Sequence, residues 1–216
     1  MADQDYKSEL PLVLALDTSS RLTSLAVSRG PHVIKSIKVE ADERRSEKLW
    51  VDIESLLIES TVTVNDIDLF GVCVGPGGFT GLRVGMSAAK GLASATRRPI
   101  IGVTSLEAAA MQAGPGRIVC ALVNAYKGEV YSQHFSIDKV GVPVALNAPF
   151  VSTLGKALGR ADVLNTIVFT GDAALEGAEL IRQFGGIREQ EEVTRGEARR
   201  WTVESMDQPA AARVAR

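Results

Sequence analysis

Apolar and polar positions along this 216-residue chain change period several times, and each change marks an element. Residues 12–17, 23–28 and 32–39 read as three strands, separated by turn signals at Ser19-Ser20-Arg21 and Arg29-Gly30-Pro31, a meander. From Ser46 the period turns helical: Leu49, Trp50, Ile53, Leu56 and Leu57 form one stripe, with Ser46 a candidate N-cap. Val51 and Ile58 lie off that stripe, so this helix is apolar on a second side, as a helix facing a partner is. A strand at 69–74 then breaks into glycines and enters a helix at 79–96, whose Gly81, Gly85, Ala88, Ala89 and Ala93 permit close approach to a neighbour. A strand at 100–103 and a short helix from Ser105 follow, and Gly114-Pro115-Gly116 marks a break between two halves, 1–113 and 114–216. The second half, the smaller one, opens with strands at 117–123 and 129–137 about a turn at Lys127-Gly128. Helical and strand segments continue to Phe169-Thr170-Gly171-Asp172, repeating the first half only loosely. Residues 185–200 are charged and poor in apolar groups, which predicts a solvated loop, and Pro209 is placed to open a last helix over 209–216.

Composition narrows the class. With 45% hydrophobic residues the chain buries a real core, as one domain or two small subdomains. Lys plus Arg number 24 against 26 for Asp plus Glu, a formal charge of −2, which offers no strong nucleic-acid footprint. Cys73 and Cys120 each sit in an apolar strand and read as buried thiols of a reducing compartment. The first ten residues lack the basic-then-apolar profile of a signal peptide and no apolar stretch reaches membrane-spanning length, so a cytoplasmic location is expected.

The candidate chemistry sits in two places. Gly75-Pro76-Gly77-Gly78-Phe79-Thr80-Gly81 lets the backbone come close to something else, and the amides of the following helix form an anion site. The loop lacks the lysine and spacing of G-x-x-x-x-G-K-[ST], and Thr80 breaks G-x-G-x-x-G. Phosphate binding and tight helix–strand packing both remain open for it. Asp17-Thr18-Ser19-Ser20 ends the first strand: a carboxylate for a metal-bound water and hydroxyls for a phosphate, or an Asx turn between two strands. His32 and His134 are isolated within strands, so no transition-metal set is visible and each reads as structural or solvated. No G-x-S-x-G elbow supports a hydrolase triad. Glu107 is a general base if buried beside the glycine loop, and otherwise complements the dipole of its helix. Asn124, Lys127, Glu129 and Tyr131 bracket a tight hairpin and read as turn and cross-strand pairs.

Taken together, Asp17-Thr18-Ser19-Ser20, Ser46-Glu47-Lys48-Leu49, the loop from Gly75 to Arg83, Ala89-Lys90-Gly91-Leu92-Ala93 and Gly102-Val103-Thr104-Ser105-Leu106-Glu107-Ala108 resemble the bacterial TsaB (YeaZ) family. Weaker matches are Asn124–Tyr131 and Gly171-Asp172-Ala173-Ala174. The likeness is dense from about residue 12 to 131 and diffuse beyond. It implies an α/β fold of the actin/Hsp70/sugar-kinase (ASKHA) type, two subdomains of mixed sheet flanked by helices, the second reduced. It also implies a part in making threonylcarbamoyladenosine (t6A) in tRNA. There a TsaC-type enzyme makes threonylcarbamoyl-adenylate from threonine, bicarbonate and ATP, and TsaD transfers the group to tRNA. A TsaB-like chain pairs with TsaD, helps recruit the ATPase TsaE, forms a homodimer when alone and meets tRNA indirectly.

The resemblance further implies a non-catalytic scaffold. The catalytic relative carries an Asn-His-Leu-Glu-Gly-His element whose two histidines bind a metal. Here Ser105 and Ala109 stand at those positions, so neither metal binding nor an older metallopeptidase reading is expected. No cofactor is required of this chain, and ATP or ADP is admitted only at the complex interface. Asp17, Thr18, Ser19, Gly75, Gly77, Gly78 and Thr80 are then vestigial phosphate-loop residues. Helices 46–60 and 79–96 form the implied interface, with Trp50, Val51, Met86 and Leu92 as contacts, unless Trp50 packs inside its own subdomain. Asn124 departs from the family's more frequent Asp. The alternative is a nucleotide-binding ATPase or phosphotransferase using the Asp17 turn and the glycine loop as two clamps around Mg²⁺.

Overall fold

The computed structural model of the chain describes residues 10–40, 45–161, 166–193 and 200–204. The chain divides into two compact units, the first running through Ser105 and the second starting at Leu106.

The first unit opens with β1 (Leu12–Asp17), β2 (Leu22–Arg29) and β3 (His32–Glu40), the expected meander. Helix α1 (Arg45–Glu59), strand β4 (Leu69–Cys73), helix α2 (Phe79–Thr96) and strand β5 (Ile100–Val103) follow. The sheet order is β3-β2-β1-β4-β5, with β1 antiparallel to β2 and parallel to β4, and β4 parallel to β5. Central position explains the run Leu-Val-Leu-Ala-Leu-Asp in β1: both faces of the strand are covered, so it is buried throughout. Leu12, Leu14, Leu16, Leu25, Val27, Phe70 and Val72 face Leu49, Ile53 and Leu56 of α1 and Ala88, Ala89 and Ala93 of α2. The small side chains of α2 bring its axis close to the sheet, and Gly85 lies where any Cβ would collide with the Thr18 hydroxyl. Already at Arg45 the chain is helical, so Ser46 lies within α1 and does not cap it.

The second unit contains α3 (Ser105–Ala110, its first residue shared with the boundary), β6 (Ile118–Asn124), β7 (Glu129–Ile137), β8 (Pro143–Ala145), β9 (Phe150–Thr153), α4 (Leu154–Ala161), β10 (Thr166–Thr170), α5 (Asp172–Glu176), α6 (Ala178–Val193) and β11 (Arg200–Val203). Its sheet runs β11-β10-β6-β7-β8, with β9 also on β7. One face packs Cys120, Leu122 and Phe169 against Ala157, Leu158 and Ile181, and the other packs Val119, Ala121, Phe135 and Val168 against Leu106, Ala109, Ala110 and Ala113. That second cluster corrects the expected break at residues 113–114. The segment after Ser105 contributes its apolar side to this core, and Gly114-Pro115-Gly116 is a turn inside the unit.

The solvated loop expected over 185–200 is also corrected for residues 185–193; residues 194–199 lie outside the described residues, and Arg200 begins β11. Residues 185–193 belong to α6, because Glu, Gln and Arg are good helix formers and the helix is anchored upstream by Ile181 and Phe184. Phe184 stacks on Trp201 at 5.8 Å between ring centroids. The last helix expected over 209–216 lies outside the described residues.

Candidate functional site

β1 ends on Asp17, whose side-chain Oδ1 accepts the Ser19 amide at 2.8 Å, an Asx turn that carries the chain into β2. Asp17, Thr18 and Ser19 are all buried. What buries them is the glycine loop. The Gly78 amide donates to the Ser19 carbonyl at 2.6 Å, and the Thr18 hydroxyl donates to the Gly81 carbonyl at 2.7 Å. A Cβ on Gly77 would lie 2.5 Å from the Ser19 oxygen and 2.8 Å from the Ser19 Cβ, so only glycine admits this approach. Gly75, at φ +97°, offers its carbonyl to the Ser105 amide at 2.9 Å, and the Ser105 hydroxyl donates to Pro76 at 2.5 Å. Ser105, read from the sequence as a lost metal-ligand position, thus closes the glycine loop. Ala109 is buried in the core of the second unit, and Thr80 is exposed in the first turn of α2.

The second unit repeats this arrangement. β6 ends on Asn124, whose Oδ1 accepts the Tyr126 amide at 2.8 Å. Tyr126, Lys127 and Gly128 then stand in the left-handed region at φ 65°, 54° and 78°, and the Glu129 amide closes the hairpin on the Tyr126 carbonyl at 3.0 Å. Here a carboxylate joins turn to loop. Asp172 Oδ1 accepts the amides of Asn124 at 3.0 Å and Ala173 at 2.8 Å, while Asn124 Nδ2 donates to Glu176 at 3.1 Å. Two amides that an anion would use are spent on Asp172, and two acidic groups stand where a phosphate would bring more negative charge. In the first unit the Gly78 amide is likewise spent on Ser19. The residues do not fit a phosphate clamp.

Burial, and then the neighbouring Asp17 carboxylate, push the Cys73 thiol up to about 12, and burial alone lifts Cys120 to about 12. His134 is buried, its Nδ1 held 3.0 Å from Asn147 Nδ2, so the ring proton sits on Nε2. Burial, helped by the charge of Arg160, holds its pKa below the ordinary value. His32 is exposed on β3, and Glu107 lies in the first turn of α3.

The other notable surface is the outer side of α1 and α2. Trp50 is 49% exposed, Val51 63%, Ile58 70% and Phe79 69%, whereas Met86 and Leu92 are partly buried against the unit's own core. Phe79 was not singled out in the sequence, because a large apolar residue at the first position of a helix also reads as core; Arg83 lies over its ring at 4.4 Å.

A family model described as "TsaD: tRNA N6-adenosine threonylcarbamoyltransferase" matches residues 21–153, more than half of the chain. The tRNA threonylcarbamoyladenosine biosynthesis protein TsaB of Escherichia coli is 30% identical over 134 residues, which cover 60% of this chain and 57% of that protein. The chain belongs to the TsaB (YeaZ) family. It spans a little over half the length of that relative. The solved YeaZ of Pseudomonas aeruginosa superposes with a TM-score of 0.68 at 22% identity, covering 95% of this chain and 89% of that one. A ROK hexokinase from Thermus thermophilus superposes at 0.54 with 15% identity, covering 94% and 96%. At those identities the likeness speaks to fold, and the fold is that of the ASKHA sugar kinases. The chain shares that fold, and in each of its units the turn and the loop are hydrogen-bonded to one another. Among the described residues no helix is long and apolar enough to cross a membrane.

Proposed function

We propose that this chain takes part in tRNA threonylcarbamoyladenosine biosynthesis as a non-catalytic partner of TsaD, docking through α1 and α2 and helping to recruit TsaE. The observation that carries this reading is the outward apolar side of those helices, with Trp50, Val51, Ile58 and Phe79 all exposed, from 49% to 70%. Large side chains left in water on adjacent helices mark a protein interface, and burying one is worth about 1.5–3 kcal/mol. The alternative, a nucleotide-driven ATPase or phosphotransferase, is disfavoured by the Gly78 to Ser19 bond and by Asp172, which take up amides that a phosphate would need. The names of its relatives and of the matching family support the pathway.

The test is reconstitution. A TsaC-type enzyme, TsaD, TsaE, threonine, bicarbonate, ATP and tRNA are mixed with and without this chain. Modified tRNA is expected only when the chain is present, and no ATP turnover is expected from the chain alone. Modification of equal rate without it, or nucleotide turnover by the chain by itself, overturns the reading. Trp50→Asp is expected to abolish TsaD capture while the circular dichroism spectrum stays that of the wild type.

A further inference from the structure

Residues 138–149 leave β7 and return toward it as an arm in which no residue from Lys139 to Pro149 is buried. Val140, Val142, Val144 and Leu146 are all exposed, so hydrogen bonds and not apolar packing hold the arm in place. Its own turn is closed by Asp138, whose Oδ1 accepts the amides of Val140 at 2.9 Å and Val142 at 2.8 Å. It is attached to the sheet by the short ladder of β8, by the Leu146 amide on the His134 carbonyl at 2.9 Å, and by Asn147. Asn147 grips two residues of β7 at once. Its main-chain carbonyl accepts Gln133 Nε2 at 2.8 Å, its Oδ1 accepts the His134 amide at 2.8 Å, and its Nδ2 lies 3.0 Å from His134 Nδ1. The main-chain amide of His134 can only donate, so it fixes which end of the Asn147 side chain faces it, and Nδ2 is left to donate to the ring. The grip therefore suits the neutral imidazole alone.

We propose that His134 and Asn147 form a proton-operated latch on the arm of residues 138–149, closed on the neutral ring and opened when Nδ1 takes up a proton. A protonated Nδ1 becomes a donor and meets the donor Nδ2 of Asn147. Turning the amide over satisfies the ring but sets Nδ2 against the main-chain amide of His134, so either orientation leaves two donors face to face. Nε2 gives no relief, since it is buried and meets no partner among the described residues. The elements around the ring offer the cation no carboxylate. β8 and β9 carry no titratable residue, β6 places Cys120 directly across with its thiol un-ionised, and α4 brings the positive charge of Arg160, its Lys156 being exposed. Opening frees Asn147 and Leu146 and leaves the β6–β7 ladder intact, because the arm buries nothing on which the core depends.

Amide hydrogen exchange followed by NMR on the full chain tests the latch, read about one pH unit above and below the ring's own titration midpoint and corrected for the intrinsic pH dependence of exchange. On the acid side the His134 and Leu146 amides are expected to exchange about tenfold faster or more, while Cys120 and Leu122 of β6 keep their protection. Ring nitrogen shifts are expected to place the proton of the neutral imidazole on Nε2. In Asn147→Asp the carboxylate accepts from the main-chain amide and from a protonated Nδ1 together. Its midpoint is expected to rise by about one unit or more, and acid no longer opens the arm. Asn147→Ala is expected to leave the arm open on both sides of the midpoint. Arm protection that ignores the charge of the ring, or arm and β6 protection lost together, overturns the proposal. So does a neutral ring protonated on Nδ1, an Asn147→Asp midpoint that stays or falls, or an Asn147→Ala arm that remains closed.

Discussion

The two units meet the same backbone problem and solve it differently. Each builds three antiparallel strands and then adds two parallel ones beside the first, in the orders β3-β2-β1-β4-β5 and β8-β7-β6-β10-β11. The first strand of each ends on an Asx turn, at Asp17 and at Asn124. The fourth strand of each order leaves through a glycine of positive φ, Gly75 at 97° and Gly171 at 101°. In the first unit the gap between turn and loop is closed by removing side chains, so that the Gly78 amide reaches the Ser19 carbonyl directly. In the second it is closed by adding an acceptor, Asp172, which reaches two amides, while Glu176 steadies Asn124. The same turn-to-loop gap is thus closed in either of two ways, by direct backbone contact or by an internal carboxylate.

That comparison is sharpest at the glycines. Gly171→Ala is expected to cost the most, more than about 3 kcal/mol in urea unfolding, since its Cβ meets the Leu122 carbonyl and its φ suits few side chains. Gly77→Ala follows at about 2–3 kcal/mol, through the Ser19 carbonyl alone. A cost near zero there means the first unit does not depend on the close approach. Asp172→Ala should cost about 1–3 kcal/mol by orphaning two amides, while Thr18→Val, which loses one bond to Gly81, should cost about 1 kcal/mol. If isothermal titration shows Asp172→Ala gaining affinity for inorganic phosphate, the carboxylate is an anion substitute; if stability falls with no such gain, it is a cap only.

Smaller effects distinguish the units by pH. Asp17→Asn is expected to lower the pH at which Cys73 becomes alkylated and to leave Cys120 unchanged, because only Cys73 feels that carboxylate. His134 is held below its ordinary pKa when folded, so below about 6.5 the unfolded chain takes up the proton that the folded chain refuses. Stability from this group is complete above that pH and declines as the pH falls below it. Replacing His134 by Gln should flatten the acid limb of a thermal melting series; an unaltered limb assigns it to other groups.

Much of this was legible along the chain. The strands over 12–17, 100–103 and 129–137 and the helix over 79–96 appear where their periodicity placed them. Both cysteines are buried, as apolar surroundings implied. The division of the chain was misplaced, because Gly114-Pro115-Gly116 carries a strong local turn signal while the true boundary depends on which core receives Leu106, Ala109 and Ala110. Residues 185–193 were missed as helix because charge density says nothing about the anchoring of Ile181 and Phe184 upstream. Ser105 was legible only as an absent ligand, since its hydrogen bonds run to Gly75 and Pro76, far off in sequence.

Read along the chain, most of the elements were fixed, and an Asx turn at Asp17 stood as one of two readings, because periodicity and turn propensity are local properties written in neighbouring residues; the family showed as a resemblance of motifs. Only the tertiary structure decided that Gly77 and Gly78 serve the Ser19 carbonyl, that Asp172 answers Asn124, and that Phe79 joins Trp50, Val51 and Ile58 on an outward face. Those facts depend on which distant backbone arrives beside each residue, and a glycine or carboxylate looks the same in sequence whether it awaits a ligand or is already satisfied by its own chain.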